Sequence, residues 1–310
     1  MNLSGVLVVD KPRGMTSHDV VDYLRRILGT RKIGHAGTLD PGADGVLLAC
    51  INKATKMVQF IIQYDKEYNA VIKLGVTTDT YDGEGKVLQI KDDLEIGWDQ
   101  IRDAVSSFAG RIQQTAPLYS ALKFQGKRMY QYARANVKVE PKRREVEIKS
   151  LEILDLKMPL VHLRINCSKG TYIRSLASEL GEKLGCGAYL FSLRRIRVGP
   201  FKVDEALSLE SISDVQAAGR IEDILLPIEK IMSDLPSVVV KESFADKIQH
   251  GLPLKSSSVL SVEGDFDVNQ TISVKDKRKR IIAVGRALTA ARNFLDSNYD
   301  SRLFEYLRVI

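Results

Sequence analysis

From Glu145 to Ser168 the chain carries two long alternating runs in succession, EVEIKSLEILDL and LVHLRINCS, with no helical pattern between them. Apolar and polar residues alternating with a period of two are the signature of half-buried strands. A third such run is KEYNAVIKLG, where Tyr68, Ala70, Ile72 and Leu74 share one face. Strands that follow strands without regular βαβ alternation predict an α+β fold, with a mixed, mostly antiparallel sheet flanked by helices. GVLVVD at Gly5 and GVLLACI at Gly45 add two buried strands, and AYLFSLRRIRVG another.

Helices are expected at five places, one of them SFADKIQHG in the C-terminal region. In TSHDVVDYLRRILG, Thr16 caps the first turn with Asp19 as its capping-box partner, and Gly29 ends it. Its stripe is Val20, Val21, Leu24, Ile27 and Leu28. KATKMVQFIIQ reads as a second amphipathic helix. WDQIRDAVSSFAG turns Ile101, Ala104, Val105 and Phe108 inward, and GTYIRSLASELGEKLG closes at Gly185. TTDTYDGEGK reads as a polar loop. Beyond Pro227 the texture changes to short strand-like runs such as LPSVVV, QTISVKD and LFEYLRVI. The expected division is therefore a large domain over 1–234 and a small β-rich domain over 235–310.

Composition excludes several functions. No apolar stretch approaches the ~18 residues of a membrane span, and the N-terminal run stops at Asp10 instead of continuing as a signal peptide. Three scattered cysteines (Cys50, Cys167, Cys186) and four scattered histidines give no metal-ligand spacing and no disulfide framework, which suits a reducing cytoplasm. The net charge of +7 invites an anionic partner. Three basic clusters, KVEPKRREVEIK, SLRRIRVGPFK and KDKRKR, point toward nucleic acid, although each is also compatible with an ordinary solvated face. Residues Gln113–Arg144 combine four aromatics (Tyr119, Phe124, Tyr130, Tyr132) with eight Lys or Arg. Rings that stack on bases, interleaved with cations that meet phosphates, suit an RNA-gripping insertion. A surface hairpin and helix is the alternative.

The segment GHAGTLDPGADG places one carboxylate, Asp40, in a glycine-rich turn stiffened by Pro41. Such a turn can hold an acid out into a cleft, or Asp40 can simply cap the turn. Asp44 shares the same short turn. It is not expected to face Asp40 across a substrate, as a paired acid and nucleophile would.

Five blocks occur in order: GVLVVDKPRGMTSHDVV, RKIGHAGTLDPGADGVLLACINKATK, KEYNAVIKLGVTTDTYDGEG, PLYSALKFQGKRMYQYAR and CSKGTYIRSLASELGEKLGCGAYLFSLRRIRVGPF. Together they resemble the TruB family, the bacterial tRNA pseudouridine-55 synthases, over about residues 4–205. The tail is similar, more loosely, to a PUA domain, an RNA-binding β module. The Asp-Pro-x-Ala-x-Gly pattern is intact as Asp40, Pro41, Ala43 and Gly45.

The resemblance implies isomerisation of a T-loop uridine by base flipping and aspartate-dependent rearrangement of the glycosidic bond. No cofactor and no metal are expected, since the reaction has no redox change and no net hydrolysis. Asp40 matches the family's catalytic aspartate, Arg174 the arginine that pairs with it, and Tyr68 the tyrosine lying against the target base. His35 matches the residue that takes up space in the RNA stack when the base leaves. Tyr172 and Leu193 match apolar pocket walls, and Lys11 and Pro12 a supporting motif. Lys127, Arg128 and Arg134 are the expected phosphate contacts of the insertion. The implied partner is tRNA through its T-arm stem-loop, with no membrane and no obligate protein partner. Two other readings remain: a non-catalytic RNA-binding chaperone, and a subunit of a guide-RNA-directed pseudouridine synthase. Whether Asp40 attacks the ring, attacks the ribose or acts as a base stays open.

Overall fold

Strict alternation along Lys66–Leu74 is realised in three dimensions: every second residue is buried and those between are partly exposed. The computed structural model describes residues 3–120, 123–135, 137, 139, 143–296, 299 and 301–310. Its main sheet runs in the order Gly5–Lys11, Ala43–Ile51, Ala188–Val198, Lys66–Leu74, Leu160–Cys167, Arg143–Lys157 and Gly110–Thr115. Along this path the neighbours are antiparallel except Ala43–Ile51 and Ala188–Val198, which are parallel and register Leu193 on Ala43 and Arg195 on Gly45. Ile33–Ala36 pairs with Ala43–Ile51 as its hairpin partner, and Phe201–Lys202 folds back on the end of Ala188–Val198.

Ala43–Ile51 is buried on both faces. Leu47, Ala49 and Ile51 pack with Val20, Val21 and Leu24, while Val46, Leu48 and Cys50 pack with Met57, Ile61 and Ile231. That is why its sequence is continuously apolar instead of alternating. The helix Ser17–Leu28 begins with the expected capping box between Thr16 and Asp19 and ends at Gly29 with φ 62°. On the other half of the sheet, Ile101, Ala104 and Val105 from Trp98–Ser106 and Leu176, Ala177 and Leu180 from Ile173–Lys183 cover Tyr68, Ala70, Ile72, Leu163 and Ile165.

Three local expectations change. KATKMVQFIIQ does not form one α-helix; Asn52–Met57 is a 3₁₀ helix followed by a single α turn, Val58–Ile61. Ala54, Met57 and Ile61 still face inward, at spacings of three and then four, so the buried stripe tolerates the tighter winding. The polar loop begins as a strand, Val76–Thr78, paired with Val87–Ile90. The ends of 113–144 lie in the main sheet, where Gln113–Thr115 pairs with Arg143–Glu145. Between them, Lys123–Phe124 pairs with Lys127–Arg128 and Met129–Arg134 forms a short helix.

A second sheet orders Val259–Glu263, Ser237–Val240, Thr271–Lys275, Ile281–Ala287 and Phe304–Val309 around its own core, including Val238, Ile272, Phe294 and Phe304. This module is docked on the first. Ile281, Val284 and Ile310 join the cluster containing Val6, Val8, Met57 and Ile228. The Lys56 ammonium donates to the Val309 carbonyl at 3.0 Å, and the Ile281 N–H donates to Glu229 Oε1 at 3.1 Å. Among the described residues no helix is long and apolar enough to cross a membrane.

Candidate active site

Asp40 sits in the connection between Ile33–Ala36 and Ala43–Ile51, and neighbours fix it from several sides. The Ser17 hydroxyl accepts from Leu39 N–H at 2.8 Å and donates to Leu39 C=O at 3.1 Å. Gly14 N–H donates to Pro41 C=O at 2.9 Å, and Ala43 N–H to Asp40 C=O at 3.1 Å. Gly45 has φ 102°, and a β-carbon there would lie 2.2 Å from the Arg195 carbonyl oxygen, so the close parallel pairing requires glycine.

Arg195 is 1% exposed. Its guanidinium donates to Val46 C=O at 2.7 Å and Gly37 C=O at 3.0 Å, tying the strand to the turn. The other two arginines of SLRRIRVGPFK also have partners. Arg194 bridges Asp44 (2.7 Å) and Asp10 (2.8 Å), and Arg197 pairs with Glu67 at 2.8 Å. The three arginines of that cluster thus have carboxylate or carbonyl partners, whereas Lys202 is exposed. Arg13 also binds Asp44, at 2.7 Å, so Asp44 is a structural anion.

Arg174, from the first turn of Ile173–Lys183, reaches Asp40 with Nε 2.9 Å from Oδ2. Its N–H is not aligned on that oxygen, so the contact is an ion pair rather than a hydrogen bond. The remaining guanidinium nitrogens donate to Thr80 C=O at 3.1 Å and Tyr119 C=O at 2.9 Å, and Nη1 lies 3.4 Å from Asp82. Arg174 is thus buried and held from two loops besides Asp40. Sequence reasoning missed Asp82, inside the stretch read only as polar loop. The preceding residue, Tyr81, takes φ 63°, a conformation that a bulky side chain rarely adopts.

The pair lies at a cavity of about 300 Å³ whose lining includes Asp40, Asp82, Glu84, Arg174, Tyr189 and Leu193. A wider depression of about 540 Å³ lies in the C-terminal module, around Lys247 and His250. Asp40 is closely surrounded by protein atoms, yet 42% of its side chain stays accessible from the opening. Burial pushes its carboxyl above the usual carboxylate range and Asp82 adds to the rise, while Arg174 and Lys11 oppose it. Desolvation outweighs the two cations.

Tyr68 is buried on the central strand at 8% exposure, and burial pushes its phenol up so that it stays protonated. Leu193 lines the cavity. Tyr68, His35 and Tyr172 do not line it in this state. His35 is partly buried, its Nδ1 has no hydrogen-bond partner among the described residues, and burial and Arg195 lower its pKa, which keeps the ring neutral. The Tyr172 ring lies under the Arg144 guanidinium, 5.0 Å from its carbon to the ring centroid. Lys11 is fully buried and donates to Pro12 and Met15 carbonyls, as a support. The backbones of Lys127, Arg128 and Arg134 belong to the small hairpin and helix of the insertion, and their side chains lie outside the described set. Among the described residues no group of three or more His, Cys, Asp or Glu is placed to hold a metal ion.

Comparison with known proteins gives a consistent picture. Residues 25–173 match the N-terminal domain of TruB family pseudouridylate synthases, 174–233 the tRNA pseudouridylate synthase B C-terminal domain, and 236–298 the PUA domain. The chain is 41% identical over 258 residues to tRNA pseudouridine synthase B of Clostridium tetani, covering 83% of this chain and 88% of the relative. It is 39% identical over 308 residues to the protein of the same name from Syntrophotalea carbinolica, covering 99% and 98%. Among solved structures, a Cbf5-Nop10-Gar1 complex includes a chain that superimposes with TM-score 0.78 at 29% identity, covering 98% of this chain and 84% of that one.

Proposed function

This chain belongs to the TruB family of pseudouridylate synthases, and on that basis we propose that it isomerises a uridine of tRNA to pseudouridine, acting on the T-arm stem-loop. The observation that carries the reading is the Asp40–Arg174 ion pair at the floor of an open cavity. The reaction breaks the bond from ribose C1′ to uracil N1, turns the ring and rejoins it through C5. It needs one carboxylate, as nucleophile or as base at the ribose. Asp40 is that carboxylate, accessible to substrate on one side and paired on the other. Arg174 supplies a positive charge beside it.

Tyr68 keeps its proton at neutral pH, so as a relay set against the flipped base it would take the proton leaving C5 while its own phenolic proton passes on, in net terms to N1. Extruding the uridine costs roughly a few kcal/mol. A neutral His35 ring filling the vacated stack would offset part of that, and the apolar Leu193 and the Tyr172 ring would flank the base. Lys127, Arg128 and Arg134 would supply phosphate contacts, which position the RNA without reading its sequence. A tRNA substrate also fits the cytoplasmic location expected from the sequence.

The test is site-resolved detection of pseudouridine in unmodified tRNA, and in a bare T-arm hairpin, after incubation with this chain alone. Conversion of the T-loop uridine in both supports the proposal. A shift in RNA mobility with no isomerisation indicates a binding protein instead, and conversion only with added guide RNA and proteins indicates the particle-bound class.

A further inference from the structure

Gln114 is fully buried on the edge strand Gly110–Thr115, two residues before the chain leaves the sheet for the insertion. Its side-chain amide makes a two-way bridge. Gln114 Oε1 accepts from Tyr172 N–H at 2.8 Å, and Gln114 Nε2 donates to Tyr172 C=O at 3.0 Å. Tyr172 is the cap residue of Ile173–Lys183, the helix that carries Arg174 in its first turn. The next residue of the edge strand is tied to the same helix, since the Ser175 hydroxyl donates to Thr115 C=O at 2.7 Å. Five residues beyond Gln114, the Tyr119 carbonyl receives Arg174 Nη2 at 2.9 Å. The root of the insertion is therefore joined to the arginine's helix by hydrogen bonds over Gln114–Tyr119, one of them to the arginine itself.

We propose that Gln114 is a positioning residue for the isomerisation, fixing the start of the Ile173–Lys183 helix so that Arg174 meets Asp40, and that it joins the insertion to the ion pair. The inference rests on the activity proposed above. A glutamine amide suits this role because it offers a donor and an acceptor in one plane, and so satisfies both backbone groups of one residue without adding charge. It also occupies a site where an unpaired amide would be costly. The two bonds fix the Tyr172 backbone, and with it the base of the arginine side chain. A displacement on the order of 1 Å between reacting groups can lower a rate about a hundredfold.

Gln114 touches neither Asp40 nor the cavity, so its effect must pass through Arg174, and that gives a distinctive signature. The groups around Asp40 are Arg174, Asp82, Glu84, Lys11 and Tyr68. Of the two cations, Arg174 is the one tied to Gln114's strand. Loosening it should raise Asp40 further, as removing an opposing cation does.

The experiment compares Gln114→Met, which keeps the length and apolar volume and loses both bonds, with wild type and Arg174→Lys. Single-turnover rates at saturating tRNA are followed across a pH series, together with tRNA affinity. Expected for Gln114→Met are a rate about ten- to a hundredfold lower, affinity within about threefold, and an acid limb moved to higher pH. The double variant should be little slower than Arg174→Lys alone, because residues acting through one contact are not additive. A slower variant with an unmoved acid limb and additive rate losses would reduce Gln114 to a packing residue. If Gln114→Met fails to fold, Gln114→Asn serves: it adds no charge, its shorter amide cannot span both Tyr172 groups, and it should show the same limb shift. An inactive wild-type protein overturns the proposed activity itself and is read separately, from the wild-type arm.

Discussion

Asp40 is pulled in opposite directions: burial and Asp82 raise its carboxyl, Arg174 and Lys11 lower it, and burial prevails. If the ionised form reacts, turnover is lost as pH falls through this raised pKa, so the acid limb should lie above the usual aspartate range. Replacing Arg174 by Lys substitutes a mobile point charge for a fixed fork, and the limb should move to still higher pH in single-turnover measurements. An unmoved limb at near-normal rate would separate Arg174 from Asp40. Asp40→Asn should abolish isomerisation while leaving tRNA affinity within a few fold, and appreciable residual turnover in the purified variant would remove Asp40 from the chemistry. Tyr68→Phe should slow the single-turnover rate by about a hundredfold with binding retained; normal turnover would leave Tyr68 a packing residue. At this scale Asp40 was singled out by its match to the family's motif aspartate, since its glycine- and proline-rich turn alone left a capping role open. Asp82 and Arg195 did not stand out. An acid in a polar loop and an arginine in a basic run look like surface residues until folding brings Arg174 to one and Gly37 to the other.

Elements rather than residues explain why the turn around Asp40 is rigid. Gly45 combines a left-handed φ with a parallel neighbour too close for any side chain. Gly45→Ala should therefore lose about 2–6 kcal/mol, from backbone strain together with overpacking. Denaturant unfolding measures it, and a variant as stable as wild type would contradict the packing described. Strand identities were readable because alternation and continuous apolarity reflect one buried face or two. The 3₁₀ segment at Asn52–Met57 was not readable, since its inward stripe of Ala54, Met57 and Ile61 also fits a longer α-helix. The insertion belongs to this scale too. Neutralising Lys127, Arg128 and Arg134 together should weaken tRNA binding and flatten its salt dependence, by a slope of roughly 0.7–0.9 per lost phosphate contact. Unchanged affinity and slope would place the RNA elsewhere.

Across the whole molecule, the change in sequence texture after Pro227 marked a second module, but nothing in the sequence indicated how it attaches. Ile281, Val284 and Ile310 share a core with Val6, Val8, Met57 and Ile228 from the larger unit, so the junction is packed as an interior. Uncovering a well-buried Val, Met or Ile side chain costs about 1.5–3 kcal/mol. Truncation after Asp234 should therefore lower the thermal midpoint of the remaining domain as well as its tRNA affinity. A truncated protein that melts like the full chain would show the contact to be superficial. This packed junction has a geometric consequence. Two RNA-contacting surfaces on a flexible tether search for their second partner over a volume set by the linker. Here the spacing is built in, as in the jaws of a caliper. For the tRNA proposed above, whose T-arm would enter the Asp40 cavity, the second module would meet the rest of the RNA at a set distance, adding affinity for the full molecule that a bare hairpin does not receive.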